Sequence, residues 1–163
     1  MISFDTGSHR FNLRAAAVIF QAEHLLLHRV DEDTFWSLPG GRVEPGEHAA
    51  QTVIREMQEE VGAVIHTEKT LCIAENFFTH NGQATHEVGI YILARLEQGS
   101  ALLDLTAAHF GSEDRTRLTF SWFPLKQLSA IDLRPVFLQR LLQAEDFPLA
   151  HVVQRESHFE ISY

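Results

Sequence analysis

Between residues 55 and 62 the chain reads "REMQEEVG", which places Arg55, Glu56, Glu59 and Glu60 within six positions. Carboxylates at this density can bind a hard divalent cation through oxygen or exchange a proton with water. The alternative is a solvated acidic face, the usual fate of a charge run. On a helix at 100° per residue, with Glu56 at zero, Glu60 falls near +40° and Glu59 near −60°. Ala50, Val53, Ile54, Met57 and Val61 fall between about +60° and +160°. The segment therefore has a core face and a separate carboxylate face. Two like charges about 6 Å apart repel by roughly 3 kcal/mol at an effective dielectric of about 20. Arg55 can offset one carboxylate, and a bound cation could offset the others.

The elements that must hold these residues are readable from pattern. Glu47–Val61 has helical periodicity, with Pro45 and Glu47 suited to the first turn and Gly62 placed to stop the helix. Before it lies "WSLPGGRVEPGE", a loop rich in Gly and Pro. Apolar runs at 13–20 and 25–30 read as buried strands. Segments 71–78 and 86–96 read as two more, joined by an Asn81-Gly82 hairpin signal. Residues 97–116 are the least regular. A strand is expected at 117–123, a helix at 133–143 with Pro135 in its first turn, and a last strand in the tail. The pattern predicts a mixed α/β layered fold in a single domain spanning 1–163.

Composition narrows the function. The formal net charge is −9, with 22 acids against 13 bases. That argues against a nucleic-acid partner, which needs a basic face. No apolar run is long enough to span a membrane, and the start lacks a signal-peptide pattern. A single cysteine, Cys72, suggests a reducing, cytoplasmic setting, and without a nucleophile context it reads as a buried apolar residue. The ten histidines show no converging ligand spacing; His24 and His28 share a strand.

The wider string from Gly41 to Ala63 is G-x5-E-x7-R-E-M-x-E-E-x-G-A. Seven fixed positions of this kind match by chance about once in 10⁸–10⁹ trials at average residue usage. This resembles the Nudix box and is complete at Gly41, Glu47, Arg55, Glu56, Glu59, Glu60 and Gly62. Met57 and Ala63 stand where the family usually has Ile, Leu or Val. The resemblance implies an α/β/α sandwich around a mixed sheet. It also implies Mg²⁺- or Mn²⁺-dependent hydrolysis of a nucleoside diphosphate linked to another moiety. On that basis Glu56, Glu59 and Glu60 are expected to supply metal ligands or the base, with Glu56 the first choice as base. The Gly41 carbonyl would add a metal ligand, Arg55 would orient a glutamate, and Glu47 and Gly62 would be structural. A homodimer is the family's frequent state.

Further candidates lie outside the box. Glu113, in the irregular stretch, could add an acid. Glu87 is a second candidate acid: a two-residue turn at Asn81-Gly82 pairs Asn76 with Glu87 and Phe78 with Thr85, and sets Asn76 and Glu87 side by side as either a ligand-facing polar pair or an edge pair in water. Arg29, Phe35, Asn76 and Phe78 are candidate substrate contacts. Phe77 and His80 could also stack on a base, although core packing is the default for the aromatics. No mark of a substrate subclass is present, so a nucleotide-type diphosphate is the expected substrate class. Two alternatives follow. A prenyl diphosphate isomerase would need a catalytic cysteine that Cys72 does not match. A non-catalytic nucleotide sensor of the same fold usually loses box acids, which are all retained here.

Overall fold

The computed structural model describes residues 1–31, 33–143 and 149–163. A mixed sheet dominates it, in the order β10-β9-β5-β6-β2-β3-β8-β7, with β1 and β4 also paired to β2. The strands are β1 (Ser3–Asp5), β2 (Arg10–Gln21), β3 (His24–Val30), β4 (Gly40–Arg42), β5 (Ile65–His80), β6 (Gln83–Leu96), β7 (His109–Glu113), β8 (Thr116–Pro124), β9 (Ala150–Arg155) and β10 (His158–Ser162). The pairs β2/β6 and β5/β9 are parallel and the others antiparallel. The helices are α1 (Ala49–Val61) and the one-turn α2 (Leu138–Leu141). No described helix is long and apolar enough to cross a membrane.

Strand β2 is the spine. Side chains alternate across a strand, so Ala15, Ala17 and Ile19 face α1, and Ala16 and Val18 face α2. On the first side they pack with Val53 and Met57 of α1 and with Phe120. On the second they pack with Leu71, Tyr91, Phe137 and Leu138. The result is an α/β fold whose second helical layer is thin. The expected 133–143 helix shrinks to Leu138–Leu141, preceded by turns around Pro135. The tail forms the hairpin β9–β10 rather than one strand, and the irregular stretch contributes β7.

Helix α1 starts two residues later than the pattern implies. His48 is its N-cap, in a capping box with Gln51, so Pro45 and Glu47 lie in the loop before it. Glu47 is held from the side by Arg55 and by the Thr52 hydroxyl. At the other end Gly62 has φ 68, and its N–H bonds to Gln58 O at 3.1 Å while Ala63 N reaches Met57 O at 3.0 Å. This left-handed stop suits glycine. One apolar residue departs from the stripe: Ile54, at its edge near +160°, is 40% exposed.

The β5–β6 hairpin follows the turn rule. Asn81 and Gly82 both have positive φ, and the register pairs Asn76 with Glu87 and Phe78 with Thr85.

Candidate active site

The outer face of α1 is organised by one guanidinium. Arg55 donates Nε to Glu47 Oε1 (2.9 Å), Nη2 to Glu47 Oε2 (3.0 Å) and Nη1 to both Glu56 Oε1 (2.8 Å) and Glu59 Oε2 (3.0 Å). Nη2 also reaches the Arg42 carbonyl at 3.3 Å, tying the helix to β4. Glu47 further accepts from Thr52 Oγ1 and the Glu44 amide. The Arg55 hydrogen bonds are the main reason its carboxyl is pulled down to about 2. Glu56 moves the other way: burial raises its pKa, Arg55 opposes that, and the charges of Glu60 and Glu113 add to it.

Three carboxylates converge on the inner side. Glu56, Glu60 and Glu113 each offer an oxygen within 4.8 Å of the other two. Glu60 is 4% exposed, and neither of its oxygens has a hydrogen-bond partner. A buried carboxylate without partners is costly unless something positive meets it. His28 Nδ1, also buried, stands 3.4 Å from Glu60 Oε2. The backbone fits closely around the cluster. A Cβ on Gly41 would overlap the Glu56 carboxylate, and one on Gly111 would overlap the Glu60 carbonyl. The missing side chains bring β4 under Glu56 and let β7 lie against the end of α1, which delivers Glu113. An all-oxygen, carboxylate-rich donor set with unsatisfied oxygens fits a hard divalent cation.

Comparisons with known proteins agree with this geometry. The model of the NUDIX domain matches residues 10–143. The chain belongs to the Nudix family. The Bacillus subtilis protein YjhB, assigned by name as an ADP-ribose pyrophosphatase, is 32% identical over 100 residues, covering 60% of this chain and 48% of its own length. MutT4 of Mycobacterium tuberculosis, assigned as a mutator protein, is 30% identical over 129 residues, 78% of this chain and 45% of its own length. The chain thus spans about half the length of these curated relatives. In fold, it resembles a MutT protein from Bacillus halodurans with a TM-score of 0.66 at 13% identity, covering 92% of this chain and 97% of that one. Nudix hydrolases depend on a divalent metal, and the carboxylate cluster is consistent with that dependence.

Within the Nudix box the three helix glutamates are not equivalent. Glu60 borders the apolar stripe and is buried, Glu56 is buried beside Gly41, and Glu59 points outward to Arg55. The structure groups Glu113 with Glu56 and Glu60, and places Glu59 and Glu87 outside that group. Glu87 instead lines a cleft of about 760 Å³ on the opposite sheet face, together with Phe35, Asn76 and Phe78. Arg29 joins neither group: its guanidinium lies 4.7 Å over the Trp36 ring, and its Nε is buried without a partner. Phe77 points to the other sheet face and stacks on His86 at 4.3 Å, whereas His80 lines the cleft. Cys72 is buried, which pushes its thiol up to about 12.

Sequence reasoning missed His28, because its partner Glu60 lies on α1 and the apparent relation to His24 is irrelevant. It also missed Arg10, Asn12 and Arg14, which line the cleft. Their signal was present: "RFNLR" alternates, so the three polar residues share one strand face.

Proposed function

We propose that the chain hydrolyses a diphosphate bond of a nucleoside diphosphate linked to another moiety, with Mg²⁺ or Mn²⁺ held by Glu56, Glu60 and Glu113. The observation that carries this reading is the buried, partnerless carboxylate of Glu60 inside that three-carboxylate cluster. The bound cation supplies neutralisation of phosphoryl charge and acidification of water. The chain's own residues do the positioning. Arg55 holds Glu56 through Oε1, leaving the other oxygen to take a proton from water, so Glu56 is the proposed base. Glu59 shares the same Nη1 and is the outer member of the set, available to a second ion. Glu47 anchors Arg55 from the loop side, and the Gly41 backbone lies against Glu56, where its carbonyl can add a ligand. Strand β4 separates this cluster from the cleft, with Gly41 against Glu56 and Arg42 lining the cleft. Phe35, Asn76 and Phe78 are proposed as substrate contacts within it. Arg29 is a candidate phosphate contact at the end of β3. The relative named as an ADP-ribose pyrophosphatase supports nucleotide-type substrates. A cytoplasmic setting and a homodimer complete the reading.

The test is a panel of nucleoside triphosphates, ADP-ribose, dinucleoside polyphosphates and nucleotide sugars, each with Mg²⁺ and with Mn²⁺. The expected result is metal-dependent release of phosphate or nucleotide from one class, abolished in Glu60→Gln. Absence of turnover across the panel, with nucleotide binding intact, would overturn the reading.

A further inference from the structure

On the α1 side of the sheet, the helix packs against the end of β5 and β6 that carries Ile65, Ile92, Ala94 and Leu96. At the other end of these strands the register lines up one row across six strands: Phe4, Phe11, His86, Phe77, Arg155 and His158. Residues paired in register point to the same face. Their contacts agree. Phe4 stacks on Phe11 at 5.1 Å, Phe11 meets His86 edge-on at 5.5 Å, and His86 stacks on Phe77 at 4.3 Å. The Arg155 guanidinium lies 4.1 Å over Phe77. The next row on this face is Leu13, Val88, Glu75, Val153 and Glu160, and Ile73 follows beyond Glu75. A sheet face turned to water ordinarily carries polar residues. This one keeps Phe4 54% and Ile73 39% exposed, with Phe11, Phe77, Val88 and Val153 half-buried. A contiguous apolar patch of this kind marks an interaction surface. The Nε2 of His86 also lies within it, buried and without a hydrogen-bond partner.

We infer that this face is the contact surface between two copies of the chain, related by a two-fold axis that runs along the rows and lays the aromatic row of one copy on the acidic row of the other. The charges fit that symmetry. The first row holds Arg155, His86 and His158 and no acid, whereas the second holds Glu75 and Glu160 and no base. Among the described residues, Arg155 meets no carboxylate. A rotation about such an axis keeps each strand opposite its own counterpart. Arg155 of β9 then falls between the Glu75 and Glu160 positions of the facing β5 and β10, and the phenyl rings fall on Leu13 and Val88. Isologous contacts need this self-complementarity, and two sheets pack face to face at about −30°. The size is also sufficient. With strands about 4.8 Å apart and same-face residues about 6.7 Å apart, the rows cover roughly 600 Å² per copy. Two copies would bury roughly 1,200 Å², at the lower end of stable interfaces. A nucleic acid would be repelled by Glu75 and Glu160. The inference rests on the homodimer of the proposed reading and adds the surface that forms it; it is independent of the substrate.

The experiment is sedimentation velocity of the native chain and its variants over a wide range of protein concentration, with circular dichroism to check folding. The native chain should be a dimer. Phe4→Glu and Ile73→Lys, both at exposed positions, should each weaken dimerisation at least about tenfold without loss of folding. Arg155→Glu and Glu160→Arg should each weaken it as well, and the double variant should recover most of the loss. Phe110→Glu, at an equally exposed aromatic on β7, should leave the dimer unchanged. A monomer at every concentration would overturn both this inference and the homodimer, while leaving the hydrolase reading to its own substrate panel. A dimer that survives Phe4→Glu and Ile73→Lys would overturn the surface and keep the homodimer. Equal weakening by Phe110→Glu would also overturn the surface.

Discussion

The carboxylate face of α1 and the floor of the cleft bury polar groups by opposite means. On α1, charge is set against charge: Arg55 binds Glu47, Glu56 and Glu59 through four side-chain hydrogen bonds. In the cleft, Ser3 donates to Asn12 and Asn12 to Glu87, whose carboxyl burial pushes up against the opposing charges of Arg14 and Arg42, while the Asn76 oxygen beside it on the sheet has no hydrogen-bond partner. Among the described residues, Glu60 in the first region and Asn76 in the second keep buried oxygens without a hydrogen-bond partner. A partnerless charge calls for a cation, whereas a partnerless amide oxygen calls for a neutral donor. On the proposed reading the two regions would serve different parts of one substrate, and each can be damaged separately.

The largest separation is expected within α1 itself. Glu60→Gln should lower kcat/KM about 10³-fold, a loss typical of removing charge stabilisation at a reacting centre. Glu59→Gln should lower it by less than about tenfold, since Glu59 is exposed and already satisfied by Arg55. Steady-state assays on the identified substrate compare the two. Equal losses would mean that burial does not distinguish the ligands.

That difference is partly legible in the amino-acid sequence. On the helical wheel Glu60 lies beside the apolar stripe and Glu59 at its far side, so the inward and outward members follow from local geometry. The box reads so clearly because its contacts are short-range: Arg55 reaches Glu47, Glu56 and Glu59 within one loop and one helix. Glu113 can be named from sequence but not placed, because its position depends on β7 settling against α1 at Gly111. The cleft is legible only where a turn dictates pairing. Asn81-Gly82 sets Asn76 beside Glu87, but Asn12 arrives through the parallel β2/β6 pairing, which no local turn specifies. The 133–143 segment shows the opposite error. Its apolar spacing looks helical, yet packing against the sheet uses only one α-turn, with Phe137 and Leu138 carried into the core.

Acid stability should come from the helix region through Glu47. Its folded carboxyl is lowered from 4.5 to about 2, so its ionised form is favoured by folding. The resulting stabilisation is fully present above pH about 4.5 and is lost as pH falls toward 2. The shift corresponds to an upper bound of about 3 kcal/mol. Denaturant unfolding of native protein and Glu47→Gln should differ most at neutral pH and converge near pH 2. A gap independent of pH would show that Glu47 acts by packing alone.

Gly41 tests how tightly β4 sits under the cluster. Gly41→Ala places a methyl group where the Glu56 carboxylate lies, so the carboxylate or the strand must shift. Misplacement of about 1 Å at a reacting centre is worth roughly 10²-fold in rate. The variant should lose about that much kcat while nucleotide monophosphate binding in the cleft stays within a factor of about two. Parallel losses would show that the two regions are mechanically one.

The smallest effect separates a structural histidine from one that positions the cluster. His28 approaches Glu60 Oε2 from β3, beside Phe120, and is not itself grouped with Glu56 and Glu113. It is therefore placed to steady one Glu60 oxygen. Groups that orient metal ligands are typically worth 10–100-fold in metal affinity. His28→Leu should weaken Mn²⁺ binding about tenfold, measured by the electron paramagnetic resonance signal of free Mn²⁺. His28→Asn, whose amide nitrogen can stand where Nδ1 stood, should restore most of it. A purely packing role predicts the reverse order, because leucine fills the space beside Phe120 better than asparagine does. The ranking of the two variants thus decides whether the open end of the α1 network is held by β3 or by the helix alone.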